Sequence, residues 1–533
     1  MPGLKIRLFA FTAMLAIVTA ACSSGSGVSQ EDFDALEDQL AAANEQVTSL
    51  QDQLSSGADV IATESAGTLF AEGAPAPVPD DGWATTESVR GGLWLMFQAE
   101  DSSAGPDAWD VAAHPKVYFT SESMEPANPA QDDDAPQFQG WHVIDAVTHE
   151  VLFSKLYQFN PADPITRGPH GVGVSPDGKW LYEGWCETPT AEGSVQTCYV
   201  GIYNTRTGLI DKVLKQESYF QFGLRSQAIH HIQAWTDSDG NERVILQWGF
   251  GANGGPHHIL DPNDNNRVVR AITYDDVKPM GHPFTTPSPD GMWVYVSMGA
   301  NFLRESFAGA TCIAKVSTTT PEVIEICDEH GRVLNHPIGI THTMDGRYTF
   351  AVEAESSQVI KIDNEENEVV GHTSAGVAGP YGICLSDDEQ LAFIVGKGEG
   401  SHNTGSVLGI LNLANFSQLR ADHEYPGDGT INPFYLGGSA ASLDHCALNP
   451  DLDKHEIWVS NMRGWETIVT EYDTFTVVDY VPTPNGGDTH GMAFVWYLEG
   501  WDSGELMVDM GGPKSKTLQA EIAARAAAAA PEG

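Results

Sequence analysis

Histidines recur in this 533-residue chain where they could do chemistry together. One short apolar stretch after another begins with His170, His231, His282, His336, Tyr381, His445 and His490, six imidazoles and one phenol in seven slots. Imidazoles gathered in one place gain little from packing and repel one another once protonated. A divalent metal binds them neutral and offsets the cost of collecting them. Nitrogen ligation suits copper first, then zinc or iron, on the first-row affinity order. These seven residues are therefore the candidate metal ligands. Asp444 and Asp488, close to His445 and His490, are the candidate catalytic carboxylates, placed to orient an imidazole or act as bases. His230, His257, His258, His342 and His402 are held in reserve and read as surface or turn residues.

Seven such slots need seven elements of one kind. His170 to Tyr182, His282 to Val296 and His336 to Phe350 each read as a short apolar strand, an Asp-Gly turn and a second apolar strand. Weaker copies run from His231 to Gln247, Tyr381 to Val395 and His445 to Val459, and a truncated one begins at His490. Between them lie second hairpins, as at Tyr199 to Lys212, Val359 to Val370 and Thr467 to Val478. Four strands per unit, with starts 45 to 64 residues apart, is the spacing of propeller blades. First strands of blades line the axis, so about three to five of the side chains at their starts should converge on one funnel. The expectation is an all-β chain forming a seven-bladed propeller over residues 91–512, closed by strands from Lys116 to Phe159 joining the last start. The alternative is an eighth blade made from residues 92–159, with Leu93 to Gln98 as its inner strand.

The Pro-Asp-Gly signature, across residues 115–500, resembles the YVTN-type seven-bladed propellers. That superfamily includes binding scaffolds, lactonases and redox enzymes, so the resemblance implies a fold and leaves the activity open. The histidine-lined axis resembles the propeller of nitrous oxide reductase, whose histidines hold a copper cluster, and more loosely the haem d1 propellers. The resemblance implies a redox centre, with haem as an alternative to copper, zinc or iron. This chain has no Cys-x-x-Cys-His and no Cys-rich electron-transfer motif, so an external electron donor would be required. Other chemistries lack their signatures: Gly-x-Ser-x-Gly, a Walker loop and His-Glu-x-x-His are all absent from the sequence. The loops Gly249 to His258 and Gly299 to Asn301 follow second strands, and their glycines would let backbone approach a ligand on the histidine face.

The rest of the chain gives an address. Lys5 and Arg7, the apolar run Leu8 to Val18 and small residues before Cys22 read as an export signal over residues 1–22. The segment resembles a bacterial lipoprotein signal, which implies lipid on Cys22, membrane attachment and a place in the cell envelope. Within residues 23–56, Phe33, Leu36, Leu40, Ala43, Val47, Leu50 and Leu54 alternate steps of three and four, a heptad seam for a short coiled-coil stalk and a possible homo-oligomer. Residues 57–90 gather Gly, Ala, Pro and Asp as a linker, and residues 513–533 form an Ala-rich tail. Seventy-three acidic against 27 basic side chains give a net charge of −46, which repels phosphate backbones and excludes nucleic acid as a partner. Of seven cysteines, Cys186 with Cys198 and Cys312 with Cys327 are spaced for disulfides, while Cys384 and Cys446 can pair or remain thiols. Two functions follow as expectations: a lipid-anchored metal-binding propeller acting as an oxidoreductase on a small molecule, or a metal-free surface propeller binding protein or glycan.

Overall fold

The computed structural model describes residues 93–111, 114–122, 137–159, 165–167, 171–187, 195–219, 229–248, 257–272, 284–297, 312–327, 334, 337–398, 406–419, 434–437, 442–462, 464–484 and 488–529. The chain divides into two units, Met1–Ala62 and Thr63–Gly533. The export signal, heptad stretch and linker lie outside the described residues.

Strands with alternating or continuous apolar residues, separated by Asp-Gly and Asn-rich turns, fold into seven antiparallel sheets. The innermost strands, in chain order, are Val172–Val174, Ile229–Thr236, Thr285–Pro287, Pro337–His342, Pro380–Leu385, Leu443–Leu448 and Asp488–Tyr497. We number the blades I to VII by these strands. Each inner strand touches the next, and blade VII touches blade I, so the ring closes. Closure uses both ends of the sequence: Asp488–Tyr497 pairs with Lys116–Glu122, which continues into Gln137–Asp145 and Val151–Phe159. The eighth-blade alternative is corrected. Leu93–Gln98 pairs with Ile210–Tyr219 on the outer edge of blade I, because the inner place it would need is occupied by the C-terminal strand.

The repeated turn owes its shape to a hydroxyl and a carboxylate. In blade I the Ser175 hydroxyl donates to Asp177 at 2.6 Å and accepts the Trp180 N–H at 3.0 Å. Thr343 with Asp345 and Ser386 with Asp388 repeat it in blades IV and V. Three disulfides staple the ring: Cys186–Cys198 inside blade I, Cys312–Cys327 inside blade III, and Cys384–Cys446 between the inner strands of blades V and VI, with Cα atoms 5.9 Å apart.

Past blade VII the chain turns back into the ring. Gly504–Asp509 pairs with Asp488–Tyr497 on the side away from Lys116–Glu122, and Gly512–Pro513 pairs with it in turn. A Cβ on Gly511 would fall 2.2 Å from Thr286 Oγ1 and 2.6 Å from Gln233 Oε1, so only glycine fits between blades II and III there. The buried pair Lys514–Asp509, 3.1 Å apart, pins this turn. Helix α1 (Lys516–Ala529) follows, with Ser515 Oγ accepting the Leu518 N–H at its start. Its Leu518 and Ile522, one turn apart, sink into the core shared with Leu448 and Leu452, and Arg525 pairs with Asp387 of blade V. The Ala-rich tail is thus a docked clasp as far as Ala529.

Candidate functional site

The site begins with an irregularity in the strands. Successive side chains of a regular strand point to opposite faces. Register shifts between Ile229 and His231, Pro337 and Ile340, Pro380 and Ile383, and Leu443 and Cys446 break that alternation near the start of four inner strands, three of which supply the cluster. Neighbouring residues can then reach one cluster. The rings of His230 and His231 lie 3.9 Å apart, and Asp444 and His445 both join the same group. Gly382 lets blades V and VI close on it, since a Cβ there would stand 2.8 Å from the Asp444 carbonyl and 2.9 Å from His445 Cα.

The cluster draws on five blades and, Lys397 apart, is buried. His231 Nε2 of blade II faces His445 Nε2 of blade VI at 3.2 Å. Asp444 Oδ2 lies 3.4 Å from that same His445 nitrogen and 3.1 Å from His490 Nδ1 of blade VII. Lys397 donates to Asp444 Oδ1 at 2.7 Å, and its ammonium stands 3.6 Å above the ring of Tyr381. Tyr381 sits 5.0 Å from the His445 ring and bonds through its hydroxyl to His230 Nε2 at 3.1 Å. Phe284 covers the pair, stacked on His445 and edge-on to His231, both at 5.4 Å.

Charge is settled locally. Burial pushes the Asp444 carboxyl up, but Lys397 first, then His445 and His490, outweigh it and hold it well below the usual carboxylate range. Burial lowers His445 to about 4 against the upward pull of Asp444, so its imidazole is neutral at pH 7. His490 donates its Nδ1 proton to Asp444, which fixes the orientation of its ring. His445 Nδ1 is buried and has no hydrogen-bond partner among the described residues.

Of the residues expected from sequence, His231, His445, His490, Tyr381 and Asp444 come together. His170, His282, His336 and His402 lie outside the described residues, as do loop residues 249–256 and 299–301. Asp488 opens the inner strand of blade VII opposite Glu122, and its side chain lies outside the described ones. The reserve histidines His230, His257, His258 and His342 are strand residues and buried, where surface or turn positions were expected. His257 and His258 each accept a hydrogen bond from Trp248, through its backbone N–H and indole N–H, and His342 bonds Thr349. Burial lowers His257 and His342 to about 3. Sequence reasoning held His230 only in reserve and missed Lys397, Gln247 and Phe284. The His230-His231 doublet in an inner strand, impossible to satisfy on one face without a bulge, was the available signal for the first.

Among the described residues no group of three or more His, Cys, Asp or Glu side chains is arranged to hold a metal ion. The axis offers instead a two-nitrogen bite, a carboxylate beside it and a third imidazole on the carboxylate.

No protein-family model and no curated protein matches this chain in sequence. Solved propellers are similar in fold. The periplasmic gluconolactonase PpgL of Pseudomonas aeruginosa aligns at 12% identity over 72% of this chain and 99% of its own, with a TM-score of 0.46. The dihydro-heme d1 dehydrogenase NirN, in complex with DHE, aligns at 11% identity over 78% of its chain and 79% of this one, TM-score 0.42. Kuenenia stuttgartiensis hydrazine synthase aligns at 15% identity over 59% of this chain and 99% of its own, TM-score 0.31. At these scores the similarity carries no functional argument.

Proposed function

We propose that this chain is an exported propeller, tethered through lipid on Cys22, that binds a redox metal on its axis and acts on a small molecule there. The observation that carries the reading is the pair of imidazole nitrogens from His231 and His445, 214 residues apart in sequence and 3.2 Å apart in space. Two nitrogens each ~2.05 Å from one tetrahedral ion sit ~3.3 Å apart, so this spacing suits a shared metal. The two facing imidazoles supply two nitrogens of such a site, with the Asp444 carboxylate beside them. His170, His282 and His336 stand at the matching sequence positions of blades I, III and IV, and the proposal assigns remaining ligand places to them.

Copper is the metal this nitrogen set favours, and when bound it would supply one-electron transfer, drawing on an external electron donor. Everything else is done by the chain. Asp444 fixes the orientation of His490, Lys397 keeps Asp444 ionised, and Phe284 packs against both facing imidazoles.

The test is metal analysis of the full chain produced with copper in the medium. Wild-type protein should carry stoichiometric copper, and the double variant His231→Ala, His445→Ala should carry less than about a tenth of it. Wild-type protein with less than about a tenth of an equivalent would refute the reading and leave a metal-free binding propeller. Electron paramagnetic resonance of loaded protein then separates a single copper from a cluster.

A further inference from the structure

One turn of the ring departs from its siblings at two positions, and both departures meet the C-terminal clasp. In blades I to IV the inner hairpin turn ends on a glycine, Gly178, Gly240, Gly291 or Gly346, with φ between 70 and 82 and the N–H donated back across the turn. In blade V the same place, closed by the same N–H bond to Ser386, is held by Glu389 at φ 54. Left-handed backbone strains a residue with a Cβ and leaves glycine at ease, so a glutamate kept there points to a task for its side chain. Two residues earlier, where blades I, III and IV carry Pro176, Pro289 and Met344, blade V carries Asp387.

Asp387 is buried, accepts the Tyr472 hydroxyl at 2.6 Å and pairs with Arg525 of helix α1. Glu389 accepts the Met344 N–H of blade IV at 2.6 Å and lines a small cavity closed by Gly512, Pro513 and Ile522. That cavity has room for about one water molecule, so the docked helix leaves an ionised carboxylate there almost no hydration. The titratable and charged groups on the elements packed around it give no relief. Blade IV brings Asp345 and the neutral His342, blade V brings Asp387 and Asp388, the segment after blade VII brings Lys514, and the helix brings Arg525. Lys514 is paired with Asp509 and Arg525 with Asp387, while Asp345 and Asp388 repel a further negative charge. Burial first, and then those two carboxylates, push Glu389 up to about 7 against the pull of the Met344 N–H.

We infer that the blade V turn is a proton-operated latch on helix α1: protonated Glu389 stays beneath the docked helix, and ionised Glu389 gains water only when the helix lifts. Proton uptake holds the C-terminal clasp shut, and proton loss loosens it. The latch stands apart from any metal on the axis. Once the helix lifts, the carboxyl titrates near its ordinary 4.5, so lifting becomes easier as pH rises from 4.5 to 7 and levels off above that. Asp387 and Arg525, whose charges cancel, supply the part of the grip that protons leave alone.

Amide hydrogen exchange of the full chain at pH 5 and pH 8 tests the latch, read as protection factors so that the pH dependence of the intrinsic rate cancels. Protection of residues 516–529 should fall at least about ten-fold between the two. Glu389→Gln keeps the size of the side chain and cannot ionise, and Glu389→Gly restores the residue of the other turns. In both, helix protection should stay within about two-fold across the same range. Unchanged protection in the wild-type helix, or a loss in either variant equal to that of wild type, overturns the latch. Helix amides as well protected at pH 8 as those of Asp488–Tyr497 would show that the helix opens only with the whole fold, and would overturn it as well. Should one variant fail to fold, the other decides, and the wild-type arm decides alone if neither folds.

Discussion

Removing the carboxylate of Asp444 tests the electrostatics of the axis most directly. Its side chain is wholly buried, and Lys397, 2.7 Å away, retains only 12% exposure. Asp444→Ala leaves that ammonium buried without a counter-charge, which for such pairs costs about 3–5 kcal/mol. Partial hydration of Lys397 argues for the lower end, about 3 kcal/mol. Lys397→Met alone strands the carboxylate instead and should cost at least as much, since Asp444 has no exposure through which to recover solvation. The double variant Asp444→Ala, Lys397→Met removes both charges and keeps the lysine stem, so it should lie only about 1–2 kcal/mol below wild type. The cycle then returns a coupling of at least about 4 kcal/mol, far above the value of an exposed pair. Equilibrium urea unfolding followed by tryptophan fluorescence measures all four proteins. A loss below about 1 kcal/mol in Asp444→Ala, or losses that simply add in the double variant, would show that the two charges are solvated and that the buried-cluster description is wrong.

Other expectations concern the scaffold. Replacing Cys384 and Cys446 together with Ala opens a 62-residue loop and should cost about 4 kcal/mol on the chain-entropy relation, against about 3 kcal/mol for the 12-residue loop of Cys186–Cys198, both read by non-reducing urea unfolding. Glu389, held at φ 54 in the blade V turn and accepting the Met344 N–H, is raised by burial from the ordinary 4.5 to about 7. Its folded-state pKa lies above the unfolded one, so wild-type stability should fall by about 2–3 kcal/mol as pH rises from 4.5 to 7 and level off above it. Glu389→Gln should flatten that slope, and an unchanged slope would assign it elsewhere. Ile522→Ala on helix α1, at 1% exposure, should cost about 2–4 kcal/mol and make residues 516–529 the first site cut in limited proteolysis.

The fold was legible because the ring repeats itself: the Asp-Gly turn returns with a hydroxyl two positions ahead of it, and each return marks the bottom of an inner hairpin. Closure was legible too, since His490 begins a strand with no blade after it and Lys116 to Phe159 are strands with no inner strand before them. The role of Leu93–Gln98 was not, because an apolar hexapeptide reads alike at the inner and outer edge of a blade. Of the site, residues opening inner strands could be found by position. Lys397 could not, being at the end of a second strand and distinguished only by what it meets in space. His230 was misplaced for a physical reason: period-two alternation sends it away from His231, and the doublet itself is the one mark of the bulge that overrides alternation.

The cost of the axial layer is the strongest reason to look for a function in it. Blades elsewhere meet through residues such as Val174, Ile232, Ile340 and Phe494, all buried and apolar. At one level of the ring that pattern gives way to His230, His231, His445, His490, Asp444 and Lys397. Burying a charged pair and four imidazoles is neutral at best against well-packed apolar side chains of the same volume. The neighbouring layer shows what the fold does without such a demand: Gly511 slots against Thr286 and Gln233 and fills the space with backbone. Backbone thus fills the space at Gly511, while polar side chains gather at the histidine level. The proposed ligand site would account for the cost of the polar arrangement at the histidine level.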